Sequence, residues 1–62
     1  MELPKISQPA MRALASINVK TLEDVTNFSE AELLDLHGFG PKGIRILREV
    51  MDEHGLKFKG EE

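Results

Sequence analysis

Apolar residues recur at helical spacing in four stretches of this chain, and residues that favour helix starts stand ahead of them. Ser7 precedes a run that places Met11, Leu14 and Ala15 on one face. Pro9 falls in its first turn, where a missing N–H costs least. This predicts a first helix to about Ser16. Ile17, Asn18, Val19 and Lys20 then form a connector. Thr21 followed by Glu23 and Asp24 predicts a cap with acidic residues in the first turn, opening a short helix that ends near Asn27. Ser29 and Glu32 have capping-box spacing, and Phe28 with Leu33 has that of the accompanying hydrophobic staple. That third helix ends at a glycine-rich turn. The fourth runs from Pro41 to His54, with Gly55 placed to end it and Leu56 to pack back on its last turn. Leu3 and Ile6 anchor a short lead, and no stretch alternates with period two. The expected class is all-α. Its expected core is Met11, Leu14, Ile17, Val19, Leu22, Val25, Leu33, Leu36, Phe39, Ile44, Leu47, Met51 and Leu56. Phe58 is a docking candidate, and residues 59–62 read as a frayed tail.

The turn between the last two helices carries the candidate chemistry. It reads Leu36-His37-Gly38-Phe39-Gly40-Pro41-Lys42-Gly43. Two glycines one residue apart predict a sharp turn through positive φ, with Phe39 as a plug pointing into the core. The product is a hairpin that aims a helix N-terminus and the N–H groups of Gly38, Gly40, Lys42 and Gly43 outward, an arrangement suited to a phosphate. Charge order on the fourth helix points the same way. Lys42, Arg45 and Arg48 lie early and Asp52 and Glu53 late, against the helix dipole by about 0.3–1 kcal/mol per exposed charge. The pairs Arg45/Glu49 and Arg48/Asp52 also stand in the weaker order. An anion at the helix start reconciles these choices; a solvated face with modest ion pairs is the plain alternative. An internal echo at an offset of twenty-two sets Leu14, Ile17, Lys20, Leu22 and Val25 against Leu36, Phe39, Lys42, Ile44 and Leu47, as though the first half were a degraded copy of the second.

Size and composition narrow the classes. Sixty-two residues make one domain, residues 1–62, and a chain this short buries only ~60% of its unfolded surface. It has no cysteine, so neither disulfides nor a thiolate zinc site staples it. The net charge of -3 counts against indiscriminate nucleic-acid binding, leaving the placement of the basic groups to decide. The three aromatics are all Phe, too few for a single-strand stacking platform. No apolar run reaches membrane-spanning length and no signal sequence leads the chain, so the expected location is cytoplasmic. His37 and His54 stand alone, and no spacing of His, Asp and Glu suits a metal. Neither a cofactor fingerprint nor a catalytic arrangement occurs, so no enzyme is expected. Glu23, Asp24, Glu30, Glu32 and Asp35 read as capping and solubilising residues, or as an acidic docking face.

The run Leu36, Gly38, Phe39, Gly40, followed by Ile44 and Leu47, resembles the helix-hairpin-helix DNA-binding motif. From Leu3 to Phe58 the chain resembles the C-terminal domain of the bacterial RNA polymerase alpha subunit. The carrying residues are Arg12-Ala13-Leu14, Ile17 to Leu22 with Asp24, Ser29 to Leu34, Phe39-Gly40-Pro41-Lys42, Gly55-Leu56 and Phe58. That resemblance implies a compact four-helix, SAM-like domain with two hairpin halves, one a true helix-hairpin-helix. It implies double-stranded DNA as partner, held mainly by backbone phosphates, together with transcription proteins. Gly40 and Lys42 match family contacts to the DNA backbone. Gly43 stands where the family has a contacting serine, Pro9 where it has a minor-groove arginine, and Arg12 where it has an asparagine. The expected DNA-binding set is Gly38, Gly40, Lys42, Gly43, Arg45, Arg12 and Lys20. The chain carries no polymerase-assembly segment, so the expectation is a stand-alone relative. The alternative is a protein-interaction module, accessory to transcription, that uses the acidic face and an exposed apolar tail and has lost DNA binding.

Overall fold

Side-chain caps start three of the four helices, as their sequences predict. In the computed structural model, which describes residues 1–61, α1 is Gln8–Ser16, α2 Leu22–Val25, α3 Glu30–Leu34 and α4 Pro41–Glu53. The Ser7 hydroxyl accepts from the Ala10 N–H at 3.3 Å. Thr21 with Asp24 and Ser29 with Glu32 each form a reciprocal capping box. α2 is shorter than predicted. After Val25 the chain tightens into i→i−3 bonds, Thr26 to Glu23, Asn27 to Asp24 and Phe28 to Val25, which end the helix before Asn27.

Two helices end in the same left-handed device. At the end of α4, Gly55 takes φ +70°, its N–H donates to the Asp52 carbonyl, and the Leu56 N–H donates to the Met51 carbonyl at 2.8 Å. At the end of α1, Asn18 takes φ +62°, its N–H donates to the Ala15 carbonyl, and the Val19 N–H donates to the Leu14 carbonyl at 3.0 Å. The internal echo is therefore displaced from its sequence offset. The connectors' positive-φ residues, Asn18 and Gly38, stand twenty positions apart, and the N-caps Thr21 and Gly40 nineteen apart.

The architecture is all-α, and the described residues contain no strand, only an isolated antiparallel bridge between Glu2 and Thr21. That bridge, with the Leu22 N–H donating to the Met1 carbonyl, pins the lead to the start of α2, while Leu3 and Ile6 pack on the core. The radius of gyration, 10.2 Å, is close to the ~10.6 Å of a packed domain this long, so the short helices close on one core.

That core departs from the sequence reading at both ends of the chain. Ala10, Ala13 and Leu14 form the buried stripe of α1, while Met11 and Ala15 lie off it. Two alanines let α1 approach closely, and Met11 belongs to a neighbouring stripe. Ile17, Leu36 and Leu56 pack on the core half-buried. Phe58 is 1% exposed and among the largest fully buried side chains, so the expected exposed apolar tail is instead core. Arg48 lies over the Phe58 ring, 5.3 Å from its centroid, and the same guanidinium pairs with Glu30 of α3 and, at 2.7 Å, with Glu61. The Lys59 N–H donates to the Phe28 carbonyl at 3.0 Å. Of the expected tail, Glu62 lies outside the described residues.

Cap and tail carboxylates give the fold an acid dependence. Asp24 is held below its ordinary 3.8 chiefly by the Lys20 N–H, and Glu32 below 4.5 chiefly by the Ser29 N–H. Glu23 is lowered first by the N-terminal ammonium and Glu61 first by Arg48. A lowered carboxylate stabilises the fold above its unfolded pKa and loses that contribution as pH falls through its folded value. The melting temperature is therefore expected to hold above pH 4.5 and to drop as acid is added below it, checked by melts across that range. A flat melting temperature through the acid limb would contradict these capping contacts.

Candidate nucleic-acid interface

The turn after α3 is built on one left-handed residue. The Phe39 N–H donates to the Leu36 carbonyl at 3.2 Å, with Gly38 third in the turn at φ +88°. A type II turn requires that sign at that position, and glycine supplies it without a Cβ clash. Gly38 also abuts the first turn of α1: a Cβ there would lie 3.1 Å from Pro9 Cβ and 3.3 Å from the Pro9 carbonyl oxygen. The hairpin tip thus rests on α1. Gly40 departs from expectation. Its φ is −119° and ψ −178°, extended backbone open to any residue, and it serves as the N-cap of α4. No atom lies within 4 Å of where its Cβ would be, so its outer side faces open space.

Phe39 plugs the core at 4% exposure, as expected. The tip of its ring lies against the next turn: a Cβ on Gly43 would come within 3.1 Å of Phe39 Cζ. A side chain at position 43 would compete with the plug for that space.

The hairpin amides divide three to one. Gly43 donates to the Gly40 carbonyl at 3.1 Å, so its N–H has an internal partner. The N–H groups of Gly38, Gly40 and Lys42 have no acceptor among the described residues, and no side chain caps α4. No acidic residue stands in the first turn of α4. Lys42 and Arg45 are exposed there, and neither forms an ion pair among the described residues.

Two surface depressions flank the hairpin. One is lined by Pro9, Arg12, Ser16, Leu36, His37 and Gly38. The other is lined by Lys5, Ile6, Ser7, Gly40, Lys42 and Gly43. The fold thus places Arg12 of α1 beside Gly38, and Lys42 beside Gly40 and Gly43. It adds His37 of the hairpin turn itself, and Lys5, which reaches the site only by the docking of the lead on the hairpin. Lys20 lines neither depression. It sits on the α1–α2 connector, its own N–H donating to the Asp24 carboxylate at 3.0 Å. Arg45 also lines neither. Arg48 faces away toward Glu30, Glu61 and Phe58, so the Arg48/Asp52 pair read from the helix spacing gives way to a cross-chain tie.

Of the five acidic residues considered as a docking face, four hold the fold together. Asp24 and Glu32 close capping boxes, Glu23 meets the N-terminal ammonium, and Glu30 meets Arg48. No group of three or more His, Asp and Glu among the described residues could hold a metal ion. No helix there is long and apolar enough to cross a membrane.

No family model matches the chain, and no solved structure matches it. The chain is 38% identical over 53 residues to the DNA-directed RNA polymerase subunit alpha of Salinibacter ruber. That match covers 86% of this chain but 16% of the relative, so the chain spans about a sixth of the subunit it resembles. The likeness is that of a distantly related helical domain, similar to a piece of that polymerase subunit.

Proposed function

We propose that this chain is a small, non-enzymatic DNA-binding module of the helix-hairpin-helix kind, related to transcription, that grips the backbone of double-stranded DNA. The observation that carries the reading is the uncapped start of α4. There the unpaired N–H groups of Gly38, Gly40 and Lys42 stand beside Lys42 and Arg45, which have no ion-pair partner among the described residues. Backbone donors, a helix dipole and point charges converge where no carboxylate neutralises them, which is the chemistry of a phosphate. The open side of Gly40 leaves room for a phosphate oxygen to reach the backbone. Arg12 and Lys5 extend the positive field into the two depressions, and Lys20 is a more distant flank. The similarity to a polymerase subunit supports a nucleic-acid setting. The two connectors with left-handed residues, at Asn18 and Gly38, support a SAM-like arrangement of two hairpin halves.

On this reading the module binds without reading sequence, with a dissociation constant on the order of 10⁻⁴–10⁻⁶ M. Lys42→Ala is expected to weaken binding about equally on all duplexes and to reduce the salt slope by ~1 unit. The test is an amide NMR titration with a short duplex at low and then high salt. Shifts centred on Gly38, Gly40 and Lys42 that vanish at high salt are the expected result. An unshifted hairpin at low salt would overturn the reading in favour of a protein-docking role. That second role has less to rest on, because Phe58 is buried and most of the acidic set is engaged within the fold.

A further inference from the structure

His37 lies in the hairpin turn and lines the same depression as Arg12, Ser16 and Gly38. It is exposed, as is Arg12, which lines the same depression from α1. No carboxylate lines that depression. Asp35, two residues earlier in the chain, is the nearest acid in sequence and is not part of the lining; Lys42 lies across the hairpin in the other depression. The Ser16 hydroxyl is a neutral neighbour that donates to the Ala13 carbonyl at 2.6 Å. The Gly38 N–H has no acceptor among the described residues.

Imidazole is the side chain that changes charge between pH 5 and 8. When His37 is protonated, two cations and an unpaired N–H face one depression with no anion to balance them. A phosphate oxygen there would relieve the repulsion and accept from the N–H. Binding of the anion and uptake of the proton then favour each other by linkage, each strengthening the other by the same factor. We propose that the Arg12–His37 depression is a second phosphate-contact site whose grip on DNA is coupled to protonation of His37. The module would then hold the backbone on both sides of its hairpin, through Lys42 on one and through Arg12 and His37 on the other. This inference rests on the DNA-binding reading above.

The experiment is fluorescence anisotropy on a labelled short duplex, at about pH 5.5 and about pH 8, each over a salt series. The intact chain should bind roughly two- to fivefold tighter at the lower pH in low salt, the scale of one exposed charge interaction. Its salt slope should steepen by ~0.9, the signature of one added phosphate contact. His37→Gln should remove both effects without disturbing the fold, since the side chain is exposed. His54→Gln, at the far end of α4, should keep both. Persistence of the pH effect in His37→Gln would overturn the proposal. Should no duplex bind at either pH, the DNA reading fails, and sulfate becomes the probe of the depression itself. A titration midpoint of the His37 ring raised by sulfate, with His54 unmoved, would keep an anion site there; an unmoved His37 would end it.

Discussion

Phe58→Ala is expected to remove most of the domain's stability. A chain of 62 residues has a total stability of about 3–9 kcal/mol. Phe58 is 1% exposed, and truncating a buried phenylalanine to alanine costs about 3–5 kcal/mol. The loss also removes the face on which Arg48 rests, worth about 0.5–1 kcal/mol more. Each kcal/mol corresponds to roughly 4–8 °C in a domain this small, so a folded remnant should melt more than about 12 °C lower. Circular dichroism melts of the two proteins decide it. A variant melting within a few degrees of the parent would show that Phe58 contributes little to the core. Arg48→Met separates packing from charge. It keeps an apolar stem over the ring while giving up the ties to Glu30 and Glu61, and should cost far less than Phe58→Ala.

Gly38→Ala is the second large effect. Its φ of +88° costs an L-residue roughly 1–2 kcal/mol, and the new Cβ would meet the Pro9 side chain and carbonyl at 3.1 and 3.3 Å. The Pro9 backbone belongs to α1 and cannot swing aside, so an overpacking cost on the order of 1–3 kcal/mol adds to the strain. Gly40→Ala is the informative contrast. Its backbone is extended and its surroundings are open, so its fold cost should stay below about 1 kcal/mol, the scale of a changed N-cap. If the hairpin grips phosphate, Gly40→Ala should nonetheless weaken duplex binding, because a methyl would stand where the phosphate approaches. Urea unfolding and duplex titration of both variants separate the two roles. Equal stability losses at the two positions would refute the turn assignment, and unimpaired binding by Gly40→Ala would refute backbone capture at that residue.

Helix starts were legible because their determinants are local. Ser7, Thr21 and Ser29 each cap within three residues, and the partners Asp24 and Glu32 lie in the same turn. The end of α4 was legible for the same reason, since Gly55 and Leu56 close a short-range motif. Core membership at the margins was not. Helical spacing alone does not say which of two adjacent stripes, Ala10/Ala13 or Met11/Ala15, turns inward on α1. Burial of Phe58 depends on α4 and on the Phe28 carbonyl, neither adjacent in sequence.

The candidate site divides along the same line. From sequence alone came the all-α class, the caps, and a glycine hairpin with Phe39 as plug ahead of a cation-rich helix start, because turn and cap energetics act over a few residues. The structure showed that Gly38 rather than Gly40 takes positive φ and that the Gly43 N–H is engaged by the Gly40 carbonyl, both local outcomes, since Gly40 stands before Pro41 and the bond spans three residues. Tertiary structure alone decided that Arg48 ties the tail instead of flanking the hairpin. Packing likewise brought Arg12 and His37 to one side of the hairpin and Lys5 and Lys42 to the other, while leaving Lys20 apart. These charges belong to separate elements, and their proximity follows from how α1 and the lead dock on the hairpin, a long-range outcome that no short window of sequence encodes.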